Sequence, residues 1–368
     1  MYVSKLNLKN FRSYENEEIN FKDGVNFITG SNGAGKTNIL EALSVLANIK
    51  SFRNVPDPNI SKWQTEGYHI SADLQESEYK RFEVGFSSKE GKVRKKFKID
   101  ESEIKKLSDY YGKLLAVVIS PSDISLINGS PDIRRSFFDS VISKIDSEYL
   151  NVLSDFKKIV SNRNNLLKAL REGKINNTSQ LNPWDTLFAE KASFIIQRRI
   201  DFLSLFISIF NETYKKIADG DTAPLLKYIN SIGCEDNASI IKKLLDVRIK
   251  DIMIGSCHVG PHRDEFLLSN ENNIKFTNYG SQGQIRTAAI ALKISEYKII
   301  QRKLGKKAVI LVDDIFLELD KGRRSNLVEL ISSGNQVIFT MVNANLVDEE
   351  LFQSAKKYEI NESGIREI

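Results

Sequence analysis

The chain has 368 residues, of which 41% are apolar and 27% charged, with a net charge of +5; this is the profile of a globular protein large enough for more than one core, and the mild positive surplus permits nucleic-acid binding without requiring it. No uncharged apolar run reaches the roughly 18 residues of a membrane span, and the N-terminus lacks the apolar core of a signal peptide, so the expected compartment is the cytoplasm with no membrane partner. Two cysteines, Cys234 and Cys257, without CxxC spacing argue against a zinc site and fit a reducing compartment.

The first residues alternate and predict a strand over 2–8, followed by a turn at Asn10–Tyr14. A short apolar strand, Val25 to Thr29, leads into a glycine-rich loop and then a helix with Ile39, Leu40, Leu43 and Leu46 at three- and four-residue spacing. Phe82, Val84 and Phe86 on one arm and Val93, Phe97 and Ile99 on the other predict a hairpin turning at Lys89-Glu90-Gly91. Residues 114–119 predict a strand closed by Ser120-Pro121. From Ser147 to Arg171 apolar residues recur at helical spacing; a polar stretch follows, and Pro183 opens a second helical pattern through Ile209. Two such helices predict an antiparallel arm. Strands are expected to return near residue 252, followed by a helix from Gln284 to Lys303, a buried strand at Ala308–Val312 and a last strand at Gln336–Thr340.

Gly30-Ser31-Asn32-Gly33-Ala34-Gly35-Lys36-Thr37 fits G-x-x-x-x-G-K-[ST] without a mismatch. Glycines let such a loop turn its N–H groups inward on phosphate oxygens, and the following helix adds its positive end. Lys36 is expected to reach the β- and γ-phosphates of ATP, the Thr37 hydroxyl to coordinate Mg²⁺, and Asn38 to complete the nucleotide-binding run. Val309-Ile310-Leu311-Val312-Asp313-Asp314 reads as a central parallel strand ending in two acids. Asp313 is the expected Mg²⁺ partner, and Asp314 is placed to polarise an attacking water as the catalytic carboxylate.

Gly280-Ser281-Gln282-Gly283-Gln284 opens a helix ahead of that strand, and Glu318-Leu319-Asp320 follows it. The order of P-loop, Ser-x-Gly-Gln turn, acidic strand and Asp320 resembles the ABC-type ATPases. The resemblance implies that Ser281, Gln282, Gly283 and Gln284 of one copy close on the γ-phosphate held by a second copy, with Asp320 at the interface. The motifs lie at both ends of the chain, so the expected fold is an α/β, ABC/SMC-head-type P-loop ATPase with an inserted helical arm: residues 1–125 and 235–368 form the ATPase domain, and 126–234 the arm.

Further stretches narrow the match: Leu6 to Tyr14 (LNLKNFRSY), Ser51-Phe52-Arg53, Ser120-Pro121-Ser122-Asp123, Gly129 to Asp139 (GSPDIRRSFFD) and Gly260-Pro261-His262-Arg263-Asp264. Together they resemble, over nearly the whole chain, the RecF family of bacterial recombinational-repair ATPases. That resemblance implies a protein that binds DNA, forms an ATP-dependent homodimer, hydrolyses ATP weakly with DNA stimulation, and works with RecO and RecR in RecA loading and SOS induction. It also places Arg12 near the nucleotide. The chain departs from the family at Ser122, where a Glu is usual, and its last strand ends Thr340-Met341-Val342-Asn343, without the switch histidine of ABC ATPases. An ABC-transporter ATPase subunit is the alternative; the long arm and the missing histidine count against it. His258 and His262 are four apart, but Pro261 between them disfavours a shared helix and hence a metal pair. Lys92, Arg94, Lys96 and Lys98 alternate on one strand and suit either DNA phosphates or edge protection.

Overall fold

The structure, a computed structural model, describes residues 1–89, 92–343, 347–361 and 364–368. In chain order its strands are β1 (Tyr2–Phe11), β2 (Tyr14–Asn20), β3 (Val25–Gly30), β4 (Gly67–Gln75), β5 (Arg81–Lys89), β6 (Lys92–Ile99) and β7 (Ser102–Ile104). They continue as β8 (Ala116–Ile119), β9 (Leu225–Ile229), β10 (Glu265–Ser269), β11 (Val309–Asp313), β12 (Val337–Met341), β13 (Lys356–Asn361) and β14 (Gly364–Glu367).

Residues Met1–Ile124, Glu212–Thr222 and Ser281–Ile368 make one compact unit, and Ser125–Asn211 with Ala223–Gly280 make another. The first holds two six-stranded sheets. One is antiparallel in the order β2-β1-β4-β5-β6-β7; the other runs β14-β13-β3-β12-β11-β8, with β13, β3, β12, β11 and β8 parallel and β14 antiparallel. Strands β8, β11 and β12 are buried at every position, which is why they read as continuous apolar runs rather than alternating ones. Leu6, Leu8 and Phe11 from the first sheet, Leu311 and Ile338 from the second, and Ile39, Leu43 and Leu46 from helix Lys36–Asn48 share one core.

In the second unit, helix Ser147–Arg171 runs antiparallel to helix Asn182–Ile217, whose residues up to Asn211 belong to this unit. Phe156 packs on Phe188 with ring centroids 4.9 Å apart, and the Arg163 guanidinium donates to Asp185 at 2.8 Å. Asp146 caps the first of these helices, its side chain accepting from the Tyr149 N–H. Buried arginines tie the unit together: Arg163 pairs with Asp185 and Asp251, and Arg199 with Asp139 and Asp264.

Three expectations are corrected. The segment near residue 252 is helix Arg248–Ile254, and the strand there is β10. Asp251 is buried on Arg163 while Ile249 and Met253 stay exposed, so polar and apolar residues there take the reverse of their usual places. The return to the ATPase part falls at 281 rather than 235, because β10 pairs antiparallel with β9 and Asp251 reaches the arm helix, so 235–280 folds with the inserted helices. In the β5–β6 hairpin Val93 is exposed while Phe97 and Ile99 are buried, and Glu90 and Gly91 of the expected turn lie outside the described residues.

Candidate functional site

Parallel pairing brings the site together. Register matches Val312 with Phe339 and Asp313 with Thr340 across β11–β12, and Met341 with Thr29 across β12–β3, so Gly30 and Asp313 emerge at the same carboxyl edge, the usual ligand side of such sheets. Gly30 starts the loop where a Cβ would stand 2.5 Å from the Ile360 carbonyl oxygen of β13, so the close approach of that strand requires glycine. Gly35 ends the loop in a left-handed conformation (φ 107°) and begins helix Lys36–Asn48. No backbone acceptor meets the N–H groups of Lys36 and Thr37 among the described residues, while that of Asn38 donates to the Gly35 carbonyl at 2.9 Å. Lys36 is buried, and its ammonium donates to the Gly30 and Ser31 carbonyls at 2.8 and 2.9 Å, with no ion-pair partner among the described residues. Helix-end N–H groups and a buried cation without an ion pair among the described residues suit a bound polyphosphate.

The Thr37 hydroxyl donates to Asp313 Oδ1 at 2.7 Å, joining loop and acidic strand across 276 positions of sequence. Thr340 donates to the same oxygen at 2.8 Å. A hydroxyl and a carboxylate in contact are the hard oxygen donors that Mg²⁺ takes, so the residues present fit that ion. Asp314 is half-buried and adopts φ 48°, a left-handed conformation uncommon outside glycine that aspartate tolerates. Its N–H donates to Thr340 Oγ1 at 3.1 Å, which fixes the turn. Burial pushes the Asp314 carboxyl above the usual carboxylate range; Lys36 opposes the rise and Asp313 adds to it.

Arg12, also at positive φ (54°), makes a bidentate pair with Glu41, with Nε and Nη2 at 2.8 and 2.7 Å from its two oxygens. Glu41 is fully buried one turn into helix Lys36–Asn48 and also accepts from Ser51. Tyr14 donates to the Gly35 carbonyl at 3.2 Å, and Asn38 donates to Ser13 at 3.2 Å, so the turn that carries Arg12 lies against the loop.

Ser281 caps helix Gln282–Leu304 in a full capping box: its hydroxyl accepts from the Gln284 N–H, and its own N–H donates to the Gln284 side chain. Ser281 and Gln282 are exposed. A Cβ on Gly283 would stand 2.5 Å from the Arg323 guanidinium, so this turn packs on the helix that Asp320 caps. Among the described residues, no hydrogen bond or ion pair joins Ser281–Gln284 to Gly30–Asn38. The two halves of the expected site are thus separate features of one chain.

A model of the RecF/RecN/SMC N terminal domain matches residues 2–362. The DNA replication and repair protein RecF of Leptospira interrogans is 34% identical over 341 residues, 92% of this chain and 91% of that one. The chain belongs to the RecF family. The RecF of Bacillus cereus is 32% identical over 364 residues, covering 97% and 96%. Among solved structures, the recombination mediator protein RecF-ATP of the RecFOR pathway superposes with a TM-score of 0.89 at 29% identity over 100% of this chain and 97% of that one. Its ATPγS counterpart gives 0.87 at 30% identity, covering 100% and 98%. An Smc head bound to the C-winged helix domain of ScpA shares the fold alone, at 17% identity and a TM-score of 0.53.

Two functional-site residues of this RecF-family chain escaped the sequence reading. Glu41 was legible as a lone acid on an apolar helical face, between Leu40 and Ala42. Thr340 was legible only through register, as the hydroxyl opposite Asp313. His258 contacts Asp251, and His262 packs near Phe156 and Phe188 with Nε2 3.3 Å from the Cys257 carbonyl; among the described residues no group of three His, Cys, Asp or Glu side chains is placed to hold a metal ion. Burial pushes the His262 imidazole down to about 4, so it is neutral at pH 7. No helix among the described residues is long and apolar enough to cross a membrane.

Proposed function

We propose that this chain is an ATP-gated DNA-binding protein of recombinational repair and replication restart, with weak, DNA-stimulated ATPase activity. The observation that carries the reading is the Thr37–Asp313 hydrogen bond, which assembles the P-loop and the acidic strand into one oxygen-donor site in a RecF-family chain. Main-chain N–H groups of Gly30–Thr37 and the Lys36 ammonium would hold the phosphates, with Asn38 and the Arg12–Glu41 pair bracing the loop. Thr37 and Asp313 would hold Mg²⁺, whose charge offsets that of the phosphates when it is bound. Asp314, fixed by Thr340 and kept partly desolvated, would orient and polarise the attacking water.

The exposure of Ser281 and Gln282 supports a role in trans: the Ser281–Gln284 turn of one copy closes on nucleotide held by another, with Asp320 at the interface. The naming of relatives for DNA replication and repair and for the RecFOR pathway supports DNA as ligand, RecO and RecR as partners, and RecA loading and SOS induction as the outcome. Full-length similarity to RecF proteins leaves the transporter-subunit alternative without support.

The test is the mass of the full-length chain by light scattering with ATP and Mg²⁺, with ADP, and with neither, in the presence and absence of gapped DNA. A dimer with ATP alone, lost in Lys36→Ala, is the expected result. Single chains under every condition would end the proposal.

A further inference from the structure

Trp63 is 85% exposed, the most exposed large apolar side chain among the described residues. Single exposed apolar side chains are common on protein surfaces, so the exposure of Trp63 gains meaning only from its setting. It sits in the loop between Ser61 and Gly67, and this loop is not loose. The Lys62 N–H donates to the Asn10 carbonyl at 2.8 Å, Thr65 folds back on Lys62, and the Glu66 carbonyl accepts from the Ser88 N–H at 2.7 Å. The last contact fastens the loop to the end of the β5–β6 hairpin, where Ser88 pairs with Val93 and Lys89 with Lys92.

That hairpin end is basic and partly apolar. Val93 is 64% exposed, flanked by exposed Lys92 and Arg94. Those two cations have no ion pair among the described residues, unlike Lys89 on Glu66 and Lys96 on Glu103. An exposed indole on a loop hydrogen-bonded to a hairpin end, whose two cations lack ion pairs among the described residues, has the composition of a single-strand nucleic-acid platform, on which a base stacks while neighbouring cations take the phosphates. A protein partner would be served by the indole and Val93, but the two unpaired cations favour a polyanion.

We propose that Trp63, with Lys92 and Arg94, forms a contact site for an unpaired nucleotide of single-stranded DNA, with the indole stacking on the base. The inference rests on the DNA-binding reading above and adds to it a place and a preference for unpaired bases.

The chain has two tryptophans, Trp63 and Trp184, so Trp184→Phe leaves Trp63 as the sole reporter. This full-length variant, with ATP present, is titrated with oligothymidylate, with an abasic strand of the same length, and with a blunt duplex. Indole quenching by oligothymidylate alone is the expected outcome. Trp63→Ala should weaken oligothymidylate binding about five- to hundredfold, the range of one stacked base, leave duplex binding unchanged, and be largely rescued by Trp63→Phe. Equal quenching by the abasic strand, unchanged single-strand affinity in Trp63→Ala, or an equal loss on duplex would each overturn the stacking site while leaving DNA binding intact. If the unaltered chain bound neither strand nor duplex, the DNA-binding reading would fail first, and this site with it.

Discussion

Asp313 Oδ1 accepts from two hydroxyls, Thr37 on the P-loop helix and Thr340 on the neighbouring strand. The Thr340 hydroxyl also accepts from the Asp314 N–H, so one side chain orients both acids of the strand tip. Removing it leaves the backbone intact, because the Asp314 N–H also reaches the Thr340 carbonyl at 3.3 Å. Thr340→Val, close in shape, should therefore leave ATP affinity nearly unchanged and lower turnover about ten- to hundredfold, the usual cost of losing a residue that orients a ligand. Nucleotide titration beside steady-state phosphate release checks this. A matching loss of affinity and turnover would make Thr340 part of the binding surface rather than a positioning residue.

Helix starts were legible in part. Ser281 opens the helix expected from Gln284 and its cap forms, whereas the helix Lys321–Ser332 that Asp320 caps was not expected. The buried strands β11 and β12 were plain, since apolar runs ending in polar tips leave few alternatives. Arg248–Ile254 was not legible, because the partner that turns Asp251 inward, Arg163, lies far away in sequence. For the same reason Glu41 gave a local signal but no role: its meaning depends on Arg12 and Ser51. The Ser281 turn also separates two functions of one residue. Ser281→Ala removes the cap, costing about 1 kcal/mol of stability, and should still allow ATP-dependent dimers. Ser281→Arg loses the same cap and adds a bulky cation at the exposed turn; it should bind ATP as a monomer and fail to dimerise. Thermal melts of both variants, set beside light scattering with ATP, distinguish the effects. Dimers of normal affinity in Ser281→Arg would remove this turn from the interface.

At the scale of the whole molecule, the first unit is assembled from both ends of the chain and the short internal segment Glu212–Thr222, with the second unit inserted between them in sequence. Each copy thereby presents a loop that can grip a triphosphate and, separately, an exposed capped turn that can cover one. Two copies facing each other as proposed would close two equivalent sites, so the dimer should last only as long as the γ-phosphate that both halves would contact. Asp314 is the residue whose loss should uncouple assembly from release. Asp314→Asn preserves the size of the side chain, relieves the proximity of two carboxylates at the strand tip and removes the group proposed to polarise water. It should bind ATP at least as tightly as the unaltered chain, hydrolyse it at least tenfold more slowly, as expected for loss of general-base assistance, and persist as a dimer long after the unaltered chain has returned to monomers. Chelating Mg²⁺ should dissolve both dimers, because in the proposed site Thr37 and Asp313 would hold the phosphates only through the ion. Scattering followed over time after a single addition of ATP reads all three behaviours at once. If Asp314→Asn dimers decayed at the unaltered rate, ATP hydrolysis would not be the step that opens them.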